Sequence, residues 1–147
     1  MKNSFLLFCV LLIIFIPDLF AQDNYNHTAH QHLKRSMEHL LKGDYDSALK
    51  SINESLKFDR NSAISYIIRA RAYFELGEME RAIADCTHVI NIDRNSSTAY
   101  VIRGNAYVRK GDYNKAISDW ESALRINPNI DEARQNIELA RERMSGD

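Results

Sequence analysis

The sequence predicts an all-α protein built from repeated helical hairpins. Glycines recur every 34 residues, at Gly43, Gly77 and Gly111, and a period of this length is typical of repeat architectures. The stretches on either side of each glycine carry apolar residues at the i, i+3, i+4, i+7 spacing of amphipathic helices. The 147 residues include only two prolines and five glycines, so long helices are expected.

Composition argues against a nucleic-acid-binding protein. The chain has 19 basic and 20 acidic residues, whereas a nucleic-acid interface requires a basic surface. The hydrophobic content of 45% is ordinary for a folded soluble domain. We therefore expect a folded domain with no nucleic-acid partner.

The N-terminal residues differ in pattern from the rest of the chain. Lys2 supplies a positive charge, residues 5–16 are uninterruptedly apolar, and Ala21 is a small residue before Gln22. This pattern is typical of a signal peptide over residues 1–21, because the apolar run is shorter than the roughly 18 residues that span a bilayer. We expect an exported protein, periplasmic or extracellular, with no stable membrane span after cleavage. A membrane tether through an uncleaved segment is the alternative.

Aligned on the three glycines, the chain divides into units at residues 29–62, 63–96 and 97–130, after a flexible segment at 22–28. Each glycine lies just past the first helix of its unit, where a left-handed residue ends a helix at low cost. An acidic residue follows each glycine and suits the start of the second helix, where the helix dipole favours negative charge. Each unit is therefore expected to be one helical hairpin.

Small and charged residues recur at fixed positions within the units. Alanine recurs at one position of each unit, at Ala48, Ala82 and Ala116, and we expect these small residues to let two helices approach closely. Arg69 precedes Asp85 by the same interval that separates Arg103 from Asp119, so we expect each arginine to meet its aspartate across a hairpin. The first unit has an arginine at this position but a serine in place of the aspartate.

These units resemble tetratricopeptide repeats. The third unit carries aromatic, small and proline residues where that family has them, at Tyr100, Gly104, Tyr107, Gly111, Tyr113, Ala116, Trp120, Ala123 and Pro128. The second unit matches through Tyr66, Ala70, Tyr73, Ala82 and Cys86, with Arg94 in place of the proline. The first unit is degenerate. The resemblance implies a right-handed α-solenoid of three helix-turn-helix units.

Residues 131–147 are expected to form a capping helix and a tail. Ala133, Ile137, Ala140 and Met144 make one narrow apolar stripe, and the remaining residues are mostly charged or amide-bearing. A terminal helix of this kind covers the end of a repeat stack with one face and meets water with the other.

The chain has no convincing catalytic or cofactor motif. A Ser-x-x-Lys match at residues 47–50 falls inside a predicted helix, without the accompanying motifs that give it meaning. We therefore expect neither an enzyme nor a bound cofactor. Cys86 lies at a helical core position and is interpreted as a small buried hydrophobe.

Four of the five histidines lie early in the chain, at His27, His30, His32 and His39. His32 and His39 stand where the other units carry tyrosines, so we interpret them as packing substitutions. No cysteine or ordered carboxylate completes a metal site. A histidine-based metal carrier is retained as an alternative function.

The resemblance implies that the first helix of each unit lines a concave groove. Carried over by position, the groove residues are Leu33, Met37, Leu40, Ile67, Arg71, Phe74, Val101, Asn105 and Val108. An apolar trough with a polar middle row suits an extended or helical peptide. Some family members grip a peptide's terminal carboxylate with basic and amide residues on this face. Leu33, Met37 and Ile68 are apolar here, so that ligand is not expected.

The sequence thus predicts an exported protein–protein interaction module that docks a partner peptide or protein in its groove. A structural or assembly subunit that self-associates is the second interpretation, and an oligomer is compatible with it.

Overall fold

The computed structural model describes residues 24–146, which form seven α-helices and no strand. The first helix, α1, covers residues 24–41. The others are α2 (Tyr45–Phe58), α3 (Ala63–Glu75), α4 (Met79–Ile92), α5 (Ser97–Arg109), α6 (Tyr113–Ile126) and α7 (Asp131–Ser145). Consecutive helices pack on one another, and α3 also contacts α5. The all-α fold predicted from the sequence is confirmed.

Glycine allows the sharp turn inside each hairpin. At the α3–α4 turn, Gly77 has φ 80°, a left-handed conformation that is costly for residues with a Cβ. The backbone N–H of Glu78 donates to the carbonyl of Tyr73 at 2.8 Å, which closes the end of α3. At the α1–α2 turn, Asp44 caps α2 by accepting from the Ser47 N–H at 3.2 Å. Hydrogen bonding from Ser47 lowers the pKa of the Asp44 carboxyl.

The core consists of small residues between close helices and a few large ones that fill the remaining space. One cluster joins α3, α4 and α5 through Ala70, Cys86 and Ala99. A second joins α6 and α7, where Trp120 packs among residues that include Ala133 and Ile137. The stack therefore continues into α7, whose buried face completes the last unit.

One arginine–aspartate pair links the two helices of each of the last two units. Arg69 donates from Nε and Nη2 to both carboxylate oxygens of Asp85, each at 2.8 Å. Its Nη1 donates to Asn53 of α2 at 2.9 Å. Arg103 repeats the arrangement with Asp119 in α6, and its Nη1 donates to Thr87 at 3.0 Å. Each arginine thus bonds to an aspartate of its own unit and to a polar residue of the preceding unit. The equal arginine-to-aspartate spacing in the sequence predicts the bonds to the aspartates.

Two expectations about the ends of the repeat region differ from the structure. Residues 22–28 are predicted from the sequence to be flexible, whereas residues 24–28 are helical and belong to α1. Contacts with α2 explain the difference. The Ser55 hydroxyl donates to the carbonyl of buried Ala29 at 2.9 Å, and the Tyr25 ring lies 5.8 Å from that of Phe58. At the other end, Met144 of the predicted stripe is 47% exposed, and it lies in a shallow surface pocket beside the α5–α6 turn at residues 111–112.

The predicted signal peptide, residues 1–21, lies outside the described residues. None of the helices from residue 24 to residue 146 combines the length and the apolar content needed to cross a bilayer.

Candidate functional site

The candidate site is the face formed by the first helices of the units. None of the nine predicted groove residues is buried: Met37 and Arg71 are exposed, and the other seven are half-buried. Half-burial arises because residues such as Ile67 and Val101 also pack against the core clusters between units. Ile68 differs, since it is 6% exposed, so its side chain is part of the core and does not belong to the groove.

Two adjoining pockets lie on this face and share Phe74 and Asn105. We call the first the terminal pocket; its volume is about 280 Å³. It is lined by Phe74, Asn105, Val108, Arg109, Tyr113, Trp120, Asn136, Leu139, Ala140 and Arg143. We call the second the central pocket; its volume is about 430 Å³. It is lined by Arg71, Phe74, Glu75, Ser97, Thr98, Val101, Ile102, Asn105, Asn127, Ile130 and Glu132.

The floor of the terminal pocket is fixed by packing and by one hydrogen-bonded amide. Trp120 is only 2% exposed, and its Nε1–H donates to Asn105 Oδ1 at 3.0 Å. Asn136 Nδ2 approaches the same oxygen at 3.5 Å. A Cβ on Gly104 would lie 2.7 Å from Trp120 Nε1, so the indole occupies this position only because residue 104 is glycine. The floor is therefore rigid before any ligand arrives.

The two pockets differ in charge. The terminal pocket is lined by Arg109 and Arg143, and none of its lining residues is acidic. The central pocket is lined by one basic residue, Arg71, and two acidic ones, Glu75 and Glu132. The Arg109 guanidinium lies 5.1 Å from the centre of the Phe74 ring, a cation–π arrangement that orients it. The charge of the terminal pocket is thus purely cationic.

Five of the nine predicted groove residues line one or both of these pockets, and four line neither. Phe74, Asn105 and Val108 line the terminal pocket, and Arg71 and Val101 line the central one. The remaining four line neither of these pockets: Leu33, Met37, Leu40 and Ile67. The described pockets therefore lie toward the C-terminal half of the groove.

Sequence reasoning missed the contribution of α7 to this face. Asn136, Leu139 and Arg143 line the terminal pocket beside Ala140 of the predicted stripe, although this side of α7 was expected to meet only water. A signal was present in the sequence. These four residues have the i, i+3, i+4, i+7 spacing of one helix face, and Leu139 is an exposed leucine outside the predicted stripe.

Three of the four early histidines contact other side chains of the protein. The His32 ring stacks on Phe58 at 6.0 Å with an interplanar angle of 9°, and His39 Nδ1 lies 3.1 Å from a carboxylate oxygen of Asp44. His27 hydrogen-bonds Gln31 at 2.8 Å. Among the described residues, no group of three or more histidine, cysteine or acidic side chains is arranged to hold a metal ion.

Cys86 is fully buried in the cluster between α3, α4 and α5. Burial raises the pKa of its thiol to about 12, so the reactive thiolate is scarce at neutral pH. The residue therefore fills space in the core, as expected for a small hydrophobe.

Comparison with known proteins agrees with this geometry. Residues 63–96 and 97–130 each match a model of the tetratricopeptide repeat, and these models indicate no enzyme family. No curated protein matches the sequence.

Solved structures share the fold over most of the chain. The TPR2B domain of yeast Sti1, solved as a complex with pHsp70, is 25% identical with a TM-score of 0.75, covering 80% of this chain and 98% of that one. The second TPR domain of human RPAP3, in complex with an HSP70 peptide, is 25% identical with a TM-score of 0.72, covering 82% and 98%. MamA is 27% identical with a TM-score of 0.77, covering 88% and 74%. Residues 63–130 therefore match two tetratricopeptide repeats, and the described chain has the all-α solenoid fold of a tetratricopeptide repeat domain.

Proposed function

We propose that this chain is an exported interaction module that binds a partner protein or peptide in its concave groove. The observation that carries the proposal is the pair of adjoining pockets on the face formed by α3, α5 and α7. Pockets that hold ligands are mostly apolar, with a few polar groups that fix orientation. The yeast Sti1 and human RPAP3 domains were solved with HSP70-derived ligands, which supports a peptide as the class of partner.

The mechanism is docking on a preformed surface, without a covalent step. The groove side chains stand on helices that are held by core packing and by the Arg69–Asp85 and Arg103–Asp119 pairs. A rigid site loses little conformational entropy when a ligand binds. Leu33 and Met37 make the α1 part of this face apolar, so we propose a ligand other than a chaperone tail gripped by its terminal carboxylate.

The proposal is tested by selecting peptides from a displayed library on the immobilised chain and measuring their Kd. We expect Ile67→Asp and Phe74→Ala to raise the Kd of a selected peptide by about tenfold or more, because both remove apolar contact from the groove. Ile92→Asp is the matched control, since Ile92 is 50% exposed at the end of α4, a second helix of its unit, and is not one of the nine groove residues.

Circular dichroism of the same variants separates binding from folding. Native helicity together with weakened binding supports a groove ligand. Helicity that falls in proportion to binding, or an Ile92→Asp variant that loses as much affinity as Ile67→Asp, would contradict it.

Export is the second part of the proposal and is supported by the apolar pattern of residues 5–16 before Ala21. Export is tested by recovering the protein from the source cells and measuring its mass by mass spectrometry. A mature protein that begins at Gln22 is expected. A chain that retains Met1 and sediments with membranes would instead indicate a tethered protein.

A further inference from the structure

The terminal pocket combines an apolar floor with a cationic rim, and this combination specifies the ligand more narrowly than the groove as a whole. We propose that it receives one large apolar side chain of the bound peptide, and that acidic side chains next to this anchor pair with Arg109 and Arg143. The partner is then a peptide segment in which a leucine-sized residue is flanked by aspartate or glutamate. This inference rests on the proposed function and concerns the same groove.

The size of the pocket fits one side chain. Its volume of about 280 Å³ lies at the lower limit of the ~300–1,000 Å³ range of sites that enclose whole small molecules. Phe74, Val108 and Leu139 supply its apolar walls, and Trp120 supplies its floor. An apolar anchor that fills such a pocket at the centre of an interface contributes much of the binding energy.

The indole donor of the floor and the amide oxygen beside it are already used within the protein. The Trp120 Nε1–H donates to Asn105 Oδ1 at 3.0 Å, and Asn136 Nδ2 approaches the same oxygen. A polar anchor would therefore lose hydration without finding the indole donor free. An apolar anchor loses no hydrogen bond there, so the floor selects for one.

The rim selects for negative charge. Arg109 and Arg143 are exposed and form no ion pair within residues 24–146, whereas Arg141 on the same helix pairs with Glu121 at 3.0 Å. The Phe74 ring already orients the Arg109 guanidinium. An oriented guanidinium binds a carboxylate through two parallel hydrogen bonds, and no acidic residue lines the pocket to compete with it.

The chain contains a single tryptophan, Trp120, so intrinsic fluorescence reports directly on this pocket. The probe is a short peptide, acetylated and amidated and free of tryptophan, with one leucine between glutamates in a glycine–serine background. Titration into the full chain is expected to shift or quench Trp120 emission. Replacing the leucine by alanine should raise Kd about tenfold, which corresponds to a loss of about 1.4 kcal/mol, because less apolar surface is buried.

Matched peptides test the charge. Replacing the glutamates by glutamine should weaken binding and reduce its dependence on salt, and replacing them by lysine should abolish it. Equal affinity for the lysine peptide would overturn the proposal. So would binding that requires a free terminal carboxylate, because the anion would then come from the chain end and not from flanking side chains.

Matched variants of the protein test whether Arg143 contributes to the affinity for the acidic peptide. Arg143→Gln should raise Kd about two- to fivefold, the effect of losing one solvent-exposed ion pair. Arg141→Gln is the control, because Arg141 pairs with Glu121 and does not line the pocket. An equal loss in both variants would mean that charge acts through the general field of α7, which contradicts a specific site.

The outcomes also separate this inference from the proposed function. Suppose that library-selected peptides bind and that Ile67→Asp weakens their binding, while Trp120 emission stays unchanged and Arg143→Gln leaves Kd unchanged. The groove then binds peptides, and the terminal pocket proposal is wrong. If no peptide binds and Ile67→Asp changes nothing, both proposals fail.

Discussion

At the scale of single residues, Arg69 and Arg103 determine how one hairpin is joined to the next. Each makes two bonds of 2.8 Å to an aspartate of its own unit and a third to a polar residue of the unit before. Hydrogen bonding to Asp85 raises the pKa of Arg69, so its charge is permanent. Because Asp85 is only 7% exposed, a loss of either partner leaves a poorly hydrated charge.

We therefore expect Asp85→Ala to lower the free energy of unfolding by about 2–3 kcal/mol, between the values for exposed and fully buried pairs. Urea denaturation followed by circular dichroism measures it. Lys57→Ala is the control, since it breaks an exposed pair with Glu54 and should cost less than about 0.5 kcal/mol. An unchanged urea midpoint for Asp85→Ala would contradict the account.

Gly104 lets the Trp120 indole pack against α5. Gly104→Ala would normally stabilise a helix by about 1 kcal/mol, but the new methyl group would lie 2.9 Å from Trp120 Cδ1. We expect a net loss of about 1–3 kcal/mol from overpacking, together with a changed tryptophan emission. In a Trp120→Phe background the penalty should shrink, as a double-mutant cycle would show. A stabilised Gly104→Ala protein would mean that the ring moves aside freely.

At the scale of elements, α7 both closes the core and builds the site. Ala133, Ile137 and Ala140 cover Trp120 on one side of the helix, and Asn136, Leu139 and Arg143 line the terminal pocket on the other. The same helix thus couples stability to binding.

Removal of residues 131–147 is expected to lower the free energy of unfolding by more than about 2 kcal/mol, since Ile137 alone contributes roughly that on burial. It should also shift Trp120 emission to the red as water reaches the indole. Leu139→Ala is the control, because Leu139 is 56% exposed and its loss should leave the urea midpoint nearly unchanged. A truncated chain with native emission and midpoint would show that α7 does not cap the core.

At this scale the sequence predicted most of the fold but not all of the site. Glycines that end helices and the helical periodicity of apolar residues are local signals, so α2 to α7 could be placed from them. The equal spacing within the units indicated the Arg69–Asp85 pair. The helical residues 24–28 and the part of α7 in the pocket depend on contacts between distant residues, such as Ser55 with Ala29. No local pattern encodes the contact between Ser55 and Ala29. The α7 residues that line the pocket do follow a local helical spacing, but this spacing does not show which helices they face, and the pattern carried from unit to unit ends at residue 130.

At the scale of the whole molecule, stacking of hairpins leaves one face of the first helices only half covered. Such a face is formed because each hairpin buries its apolar side only against its neighbours. The groove is then a property of the stack, and Phe74 and Asn105 belong to two pockets at once. Ligand contacts are therefore expected to extend over α3, α5 and α7 together.

The most direct test of this account is a map of backbone amide chemical shifts in the full chain with and without a library-selected peptide. The account predicts that the perturbed amides cluster on α3, α5 and α7, including Phe74, Asn105 and Leu139. Perturbations confined to α2, α4 and α6, with the groove helices unchanged, would contradict it.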